Sequence, residues 1–347
     1  MDSTEFRIIE TLSKDLGSPI SINELTNRIR EVHGTAYYKN IYDKIHELKK
    51  KEVIAISNIG KATTITLNFN NYRIIDLLVE MELKKKEKFL EKAVEMQMIF
   101  LDMEKLLKNL DSIDSALIIN PQHNLKSNRL EFMFLLKNTI NPEEVLSIIE
   151  ELQRRHSIAI DSLILTEEEF LKLINSEEAN PAKEMLWNKI AFFSPQNLWI
   201  MIKLALAKNL KIKTEREETN PAKISEIDLA CNLSRFGYRE MGLKIEKGKE
   251  ICPEYIITSI LLQNNARRIY AIPVILMKNK ISYEMLIFLA KKYKKASELL
   301  GILKTLNKIK KNEKLENAIR ILEKIGVKGT IFSYESIKEK MRLYNAI

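Results

Sequence analysis

Apolar side chains recur at helical spacing over residues 4–16, at Phe6, Ile8, Ile9, Leu12 and Leu16, and Gly17 supplies a stop. Ser21 stands three residues before Glu24, a capping-box pattern that opens a second helix over about 22–31. His33-Gly34 makes the turn into a third helix, Thr35 to Lys50, with Tyr38, Ile41, Tyr42, Ile45 and Leu48 on its apolar side. The period then changes. Val53–Ile56 and Thr63–Leu67 are β-rich runs around the turn Asn58-Ile59-Gly60-Lys61, which reads as a hairpin.

Residues 71–110 read as one long helix. Phe89, Ala93, Met96, Phe100, Met103, Leu107 and Leu110 alternate at steps of four and three, an a/d seam. A seam of this length needs a partner surface, either a second copy or the rest of its own chain. The expectation is a homodimer through residues 89–110.

Residues 111–180 change character. Ser115–Asn120, Leu130–Lys137 and Ser157–Leu165 are strand-like. Pro142 starts a helix bearing Val145, Leu146, Ile148, Ile149 and Leu152, and Thr166 caps another that runs through Ile174. Residues 181–347 are helical in pattern, most strongly at about 195–209, 223–236, 253–263, 282–293 and 313–325. The fold class is therefore mainly α with a small α/β unit. Four segments follow: 1–70, a connecting helix 71–110, an α/β unit 111–180 and a helical region 181–347.

Charge refines the picture. The net charge of the chain is +9, yet residues 1–70 hold ten Lys/Arg against nine Asp/Glu, whereas residues 280–347 hold sixteen against seven. The excess sits in the last segment, where it is either a solvated lysine-rich face or a surface for phosphates. Two cysteines without metal-ligand spacing suit a reducing, cytoplasmic setting. The acidic opening MDSTEFRIIE is unlike a signal peptide, and no apolar run approaches the roughly 18 residues of a membrane span.

Chemistry is sparse. The four histidines, His33, His46, His123 and His156, lack metal-ligand spacing, and neither a glycine-rich phosphate loop nor a G-x-S-x-G elbow occurs. No cofactor and no metal site are expected. Arg235, Phe236, Tyr238 and Arg239 in NLSRFGYREMG could stack on bases, or could form a helix corner with buried aromatics.

Three helices followed by a hairpin is the winged-helix order, and the stretch LKKKEVIAISNIGKATTITLN resembles the third helix and wing of archaeal and bacterial winged-helix regulators. The resemblance covers about residues 4–70. It implies double-stranded DNA as partner, with the third helix in the major groove. The residues it nominates are Thr35, Tyr37, Lys39, Asn40, Asp43 and Lys44 on that helix, and Asn58 and Lys61 on the wing. Lysines would reach phosphates and Asn40 an adenine edge.

The α/β unit, over about residues 112–178, resembles the small prokaryotic nucleotidyltransferases of the DNA polymerase beta superfamily. That family implies a Gly-Ser turn for nucleotide phosphates and three strand carboxylates for two divalent metals. Here the turn would fall on Asn120 and Pro121, and the first carboxylate on Arg129, while Glu131 and Asp161 could stand for the other two. Proline lacks the N–H of a phosphate cradle, and a fixed cation repels a metal. The site is expected to be inactive, with Glu131 and Asp161 as surface strand residues. Together these readings point to a dimeric transcriptional regulator or antitoxin-like repressor and not to an enzyme. The alternatives are an active nucleotidyltransferase acting on protein or RNA, and an interaction scaffold.

Overall fold

The computed structural model describes residues 1–16, 18–60, 62–125, 129–137, 142–240 and 247–347; Gly17 and Lys61, singled out above, lie outside them. The chain divides into two units, one comprising residues 1–176 and 182–216, the other 177–181 and 217–347. The protein is mostly helical with small sheets.

The first unit begins with α1 (Ser3–Leu12), β1 (Ile20–Ser21), α2 (Ile22–His33), α3 (Tyr38–Lys50), β2 (Ile54–Ile59) and β3 (Ala62–Leu67). Asp2 caps α1 through a reciprocal box with Glu5. At α2 only half of the expected box forms. Ser21 accepts from the Glu24 N–H, but the Glu24 carboxylate turns to Arg28, 2.6 Å away. β2 and β3 pair antiparallel from Ile54↔Leu67 to Ile59↔Ala62, with Gly60 at φ +61 in the turn. The two-residue β1 joins the far side of β3, giving the order β1-β3-β2. Ile8, Ile9, Leu25, Ile29, Ile45, Leu48 and Ile65 are wholly buried.

The expected single helix over 71–110 is broken. α4 (Arg73–Lys92) stops at Ala93, whose φ −123 and ψ 56 leave helical space; a 3-10 turn, Val94–Met96, leads into α5 (Gln97–Leu107). The a/d side chains Phe89, Ala93, Met96, Phe100, Met103 and Leu107 are all buried within this unit. Phe100 lies edge-on to Phe89, Phe132 and Phe192, at 5.1–5.8 Å between ring centres. The seam side chains are thus core of their own chain and do not themselves supply the surface for the homodimer expected through residues 89–110. Their apolar surface is already covered by aromatic side chains of the second sheet.

That sheet is formed by β4 (Ile113–Ile119), β5 (Arg129–Leu136), β6 (Ala159–Thr166) and β7 (Lys189–Phe193), in the order β6-β5-β4-β7. β5 and β6 run parallel through α7 (Glu143–His156), and the other pairs are antiparallel. The short α6 (Pro121–Asn124) follows β4. α8 (Glu167–Asn175) opens on a complete Thr166–Glu169 capping box. α9 (Pro181–Trp187) leads to β7, and α10 (Pro195–Ala207) leaves it. α4 and α10 lie against β7, and α7 and α8 against β6. The helical reading of residues 181–347 therefore misses β7. KIAFF is too short and too uniformly apolar to show a strand period, and its partner β4 is remote in sequence.

The second unit is helical: α11 (Glu226–Arg235), α12 (Pro253–Gln263), α13 (Ala266–Ile269), α14 (Ile272–Lys278), α15 (Tyr283–Lys292), α16 (Ala296–Ile309), α17 (Glu313–Lys324) and α18 (Tyr334–Leu343). α12 and α15 are apolar on nearly all sides and buried accordingly. Phe236 and Tyr238 are buried, Tyr238 stacked on Tyr344 at 4.5 Å, and Arg235 donates to Asn232, Glu178 and the Ile251 carbonyl. This segment is the helix corner, with no ring free to stack on a base. Arg268 is also buried, forked onto both Glu226 and Glu240 at 2.7–3.0 Å. Among the described residues no helix is long and apolar enough to cross a membrane.

Candidate nucleic-acid interface

α3 is anchored by a narrow apolar stripe, Ile41, Ile45 and Leu48, which is wholly or almost wholly buried. The turn before it is clamped from two sides. Arg7 donates to the Thr35 carbonyl at 3.2 Å and Arg30 to the Ala36 carbonyl at 3.1 Å, and Gly34 takes φ +79 to end α2. Opposite the stripe, Thr35, Tyr37, Lys39, Asn40 and Asp43 are exposed, and Asn58 is exposed near the hairpin tip.

Two assignments on this helix change. Tyr38 and Tyr42, placed on the apolar side by spacing, are 47% and 41% exposed. They flank the stripe, and their rings form a ladder with His46, at 6.0 and 4.4 Å between successive centres. Lys44 is half-buried, and its ammonium lies 2.8 Å from Asp2 and 2.5 Å from Glu47. Hydrogen bonds to these two carboxylates push its pKa up. It ties α3 to the start of α1 instead of standing free for a phosphate.

The positions nominated on the second sheet do converge. Asn120, in the left-handed region at φ 49, links β4 to α6 and donates to Glu131 at 3.0 Å; the Asn188 side-chain amide donates to the Asn120 Oδ1 at 3.4 Å. Glu131 and Asp161 face each other in register on β5 and β6. Arg129 forms an ion pair with Asp161, whose carboxylate holds the guanidinium pKa up. Glu131 and Asp161 are 1% and 3% exposed, so the reading of them as surface residues is corrected. Pro121 is buried as the first residue of α6. One carboxylate thus meets a guanidinium and the other an amide, and among the described residues no group of three His, Cys, Asp or Glu is placed to hold a metal.

A second polar cluster gives no sequence signal. Glu82 on α4 is fully buried, with Lys189 of β7 at 2.8 Å, the Ala191 N–H at 2.9 Å and Lys85 at 3.4 Å. Lys189 also lies over the Trp199 ring at 4.4 Å. Burial lowers the Lys189 pKa to about 8 against the pull of Glu82. Burial works to raise the Glu82 pKa, but Lys189, Lys85 and the backbone N–H outweigh it and leave it lowered. Within MELKKKEK, Glu82 reads as one charge on a solvated helix, and nothing local announces that β7 will cover it.

No protein family, no curated protein and no solved structure matches this chain.

Proposed function

We propose that the chain is a double-stranded-DNA-binding regulator, of the transcriptional or antitoxin-like repressor kind, that reads DNA with α3. The observation that carries this reading is the solvent-facing side of α3, which offers Lys39 and Asn40, with Tyr37 just before the helix, beside an exposed hairpin. The clamped turn between α2 and α3, and the sheet order β1-β3-β2, suit a winged helix. Lys39 would meet a phosphate, Asn40 a base edge, and Asn58 the adjacent groove. The test is duplex binding by the intact chain as a function of salt. Binding that weakens steeply with salt supports the proposal. No binding at low salt overturns it and favours the scaffold reading, since the segment 1–70 carries a net charge of only +1.

The second sheet is read as a nucleotidyltransferase relative without transfer chemistry. The Arg129–Asp161 pair supports this, because a carboxylate neutralised by a guanidinium is a poor ligand for a divalent cation. Incubation with nucleoside triphosphates, Mg²⁺ or Mn²⁺ and candidate protein or RNA acceptors should give no label transfer. Transfer abolished by Glu131→Ala would establish the enzyme reading instead.

A further inference from the structure

The face of α5 opposite the buried seam has no partner among the described residues. Val94, Met98 and Leu101 are 67%, 60% and 60% exposed, at steps of four and three residues along the 3-10 turn and α5. They form one continuous apolar stripe. Its ends carry opposite charge. Glu95 stands beside Val94 at one end and Lys105 follows Leu101 at the other; both are exposed, and neither makes an ion pair among the described residues.

This arrangement is self-complementary. A twofold axis between Met98 and Leu101 sets α5 antiparallel to its copy, with Met98 of each against Leu101 of the other. Glu95 of each copy then comes opposite Lys105 of the other. In an isologous contact each such pair occurs twice. A parallel arrangement would instead bring acid to acid and base to base. We infer that the chain self-associates as an antiparallel homodimer through Val94, Met98 and Leu101 of the α5 face, with Glu95 and Lys105 fixing the direction.

One helical face falls at the small end of specific interfaces, below about 1,200 Å², so the association is of the weak, transient kind. This inference does not rest on the DNA-binding proposal, and its test is run without DNA.

The experiment is sedimentation equilibrium of the full chain across the micromolar range. The unmutated chain should show a concentration-dependent dimer. Leu101→Asp should abolish it, and Lys105→Glu should weaken it about tenfold or more by setting two carboxylates against each other. The double variant Glu95→Lys/Lys105→Glu should restore association, because both partners of every pair are exchanged. All these positions are solvent-exposed, and circular dichroism with an unchanged thermal midpoint separates lost association from lost folding. A chain monomeric throughout the range overturns the inference. So does a dimer that survives Leu101→Asp, or a double variant as weak as the single one.

Discussion

The carboxylate of Glu82 on α4 and the ammonium of Lys189 on β7 are 2.8 Å apart in the interior of the first unit, both almost without solvent exposure. Neither charge could be buried alone. Lys189→Met should therefore destabilise this unit by about 3–5 kcal/mol, because among the described residues Glu82 keeps Lys85 and one backbone N–H. The double variant Glu82→Leu/Lys189→Met should recover most of that loss, since an apolar pair needs no mutual compensation. Urea unfolding of these two variants and of the single variant Glu82→Leu decides. Strictly additive single and double costs would remove the pairing argument.

In the second unit the pH response has a definite sign. Burial pushes the Glu254 pKa up to about 6 from an ordinary 4.5, although the Ser282 N–H at 2.7 Å works the other way. Between those two values the folded chain binds a proton that the unfolded chain has released. The contribution of Glu254 to stability is therefore full below pH 4.5 and is lost as pH rises through 6. Glu254→Gln still accepts from Ser282 and does not titrate. Its stability at pH 7 relative to pH 4.5 should exceed that of the unmutated chain by on the order of 2 kcal/mol. Identical pH slopes in the two proteins would refute this.

Gly301, on α16, should resist the substitution that usually strengthens a helix. Alanine normally gains about 1 kcal/mol over glycine in a helix interior. Here a Cβ would come within 2.1 Å of the Thr330 carbonyl oxygen, on a backbone segment tied to α16 by the Thr330 N–H to the Ser297 carbonyl. Gly301→Ala should lower stability by about 1–3 kcal/mol through overpacking. A thermal midpoint equal to or above that of the unmutated chain would show that the 329–330 segment yields freely.

Lys39 and Lys44 separate the proposed DNA contact from a structural lysine on the same helix. Lys39 is exposed, whereas Lys44 is held by Asp2 and Glu47. Lys39→Ala should reduce the slope of log affinity against log salt by about 0.9 and leave the thermal midpoint unchanged. Lys44→Ala should leave the slope unchanged and lower the midpoint. The reverse pattern would mean that another surface makes the phosphate contacts.

Local patterns carried most of the secondary structure. The apolar periods of α1, α2, α3, α7, α12 and α17, the Thr166–Glu169 box and the hairpin around Gly60 are encoded within a few residues of one another, and each forms near its expected place. The positions of Asn120, Glu131 and Asp161 at one end of a sheet were also legible, because Asn120 follows one strand, and Glu131 and Asp161 stand near the start of two others, all recognisable by composition. What those residues do there was less legible. Burial of Glu131 and Asp161, and the Arg129 pair, depend on which elements close over the sheet.

The sequence by itself determined where helices and strands form, where turns fall and which side of each helix is apolar, because these depend on contacts a few residues apart. Only the tertiary structure decided which apolar stripe is covered and by what. The seam from Phe89 to Leu107 has the spacing of a two-chain helical interface, yet Phe132 of β5 and Phe192 of β7 fill it, leaving Val94, Met98 and Leu101 outside. A period of hydrophobic residues states that a face will be buried. It cannot name the surface that buries it, because that surface is assembled from strands far away along the chain.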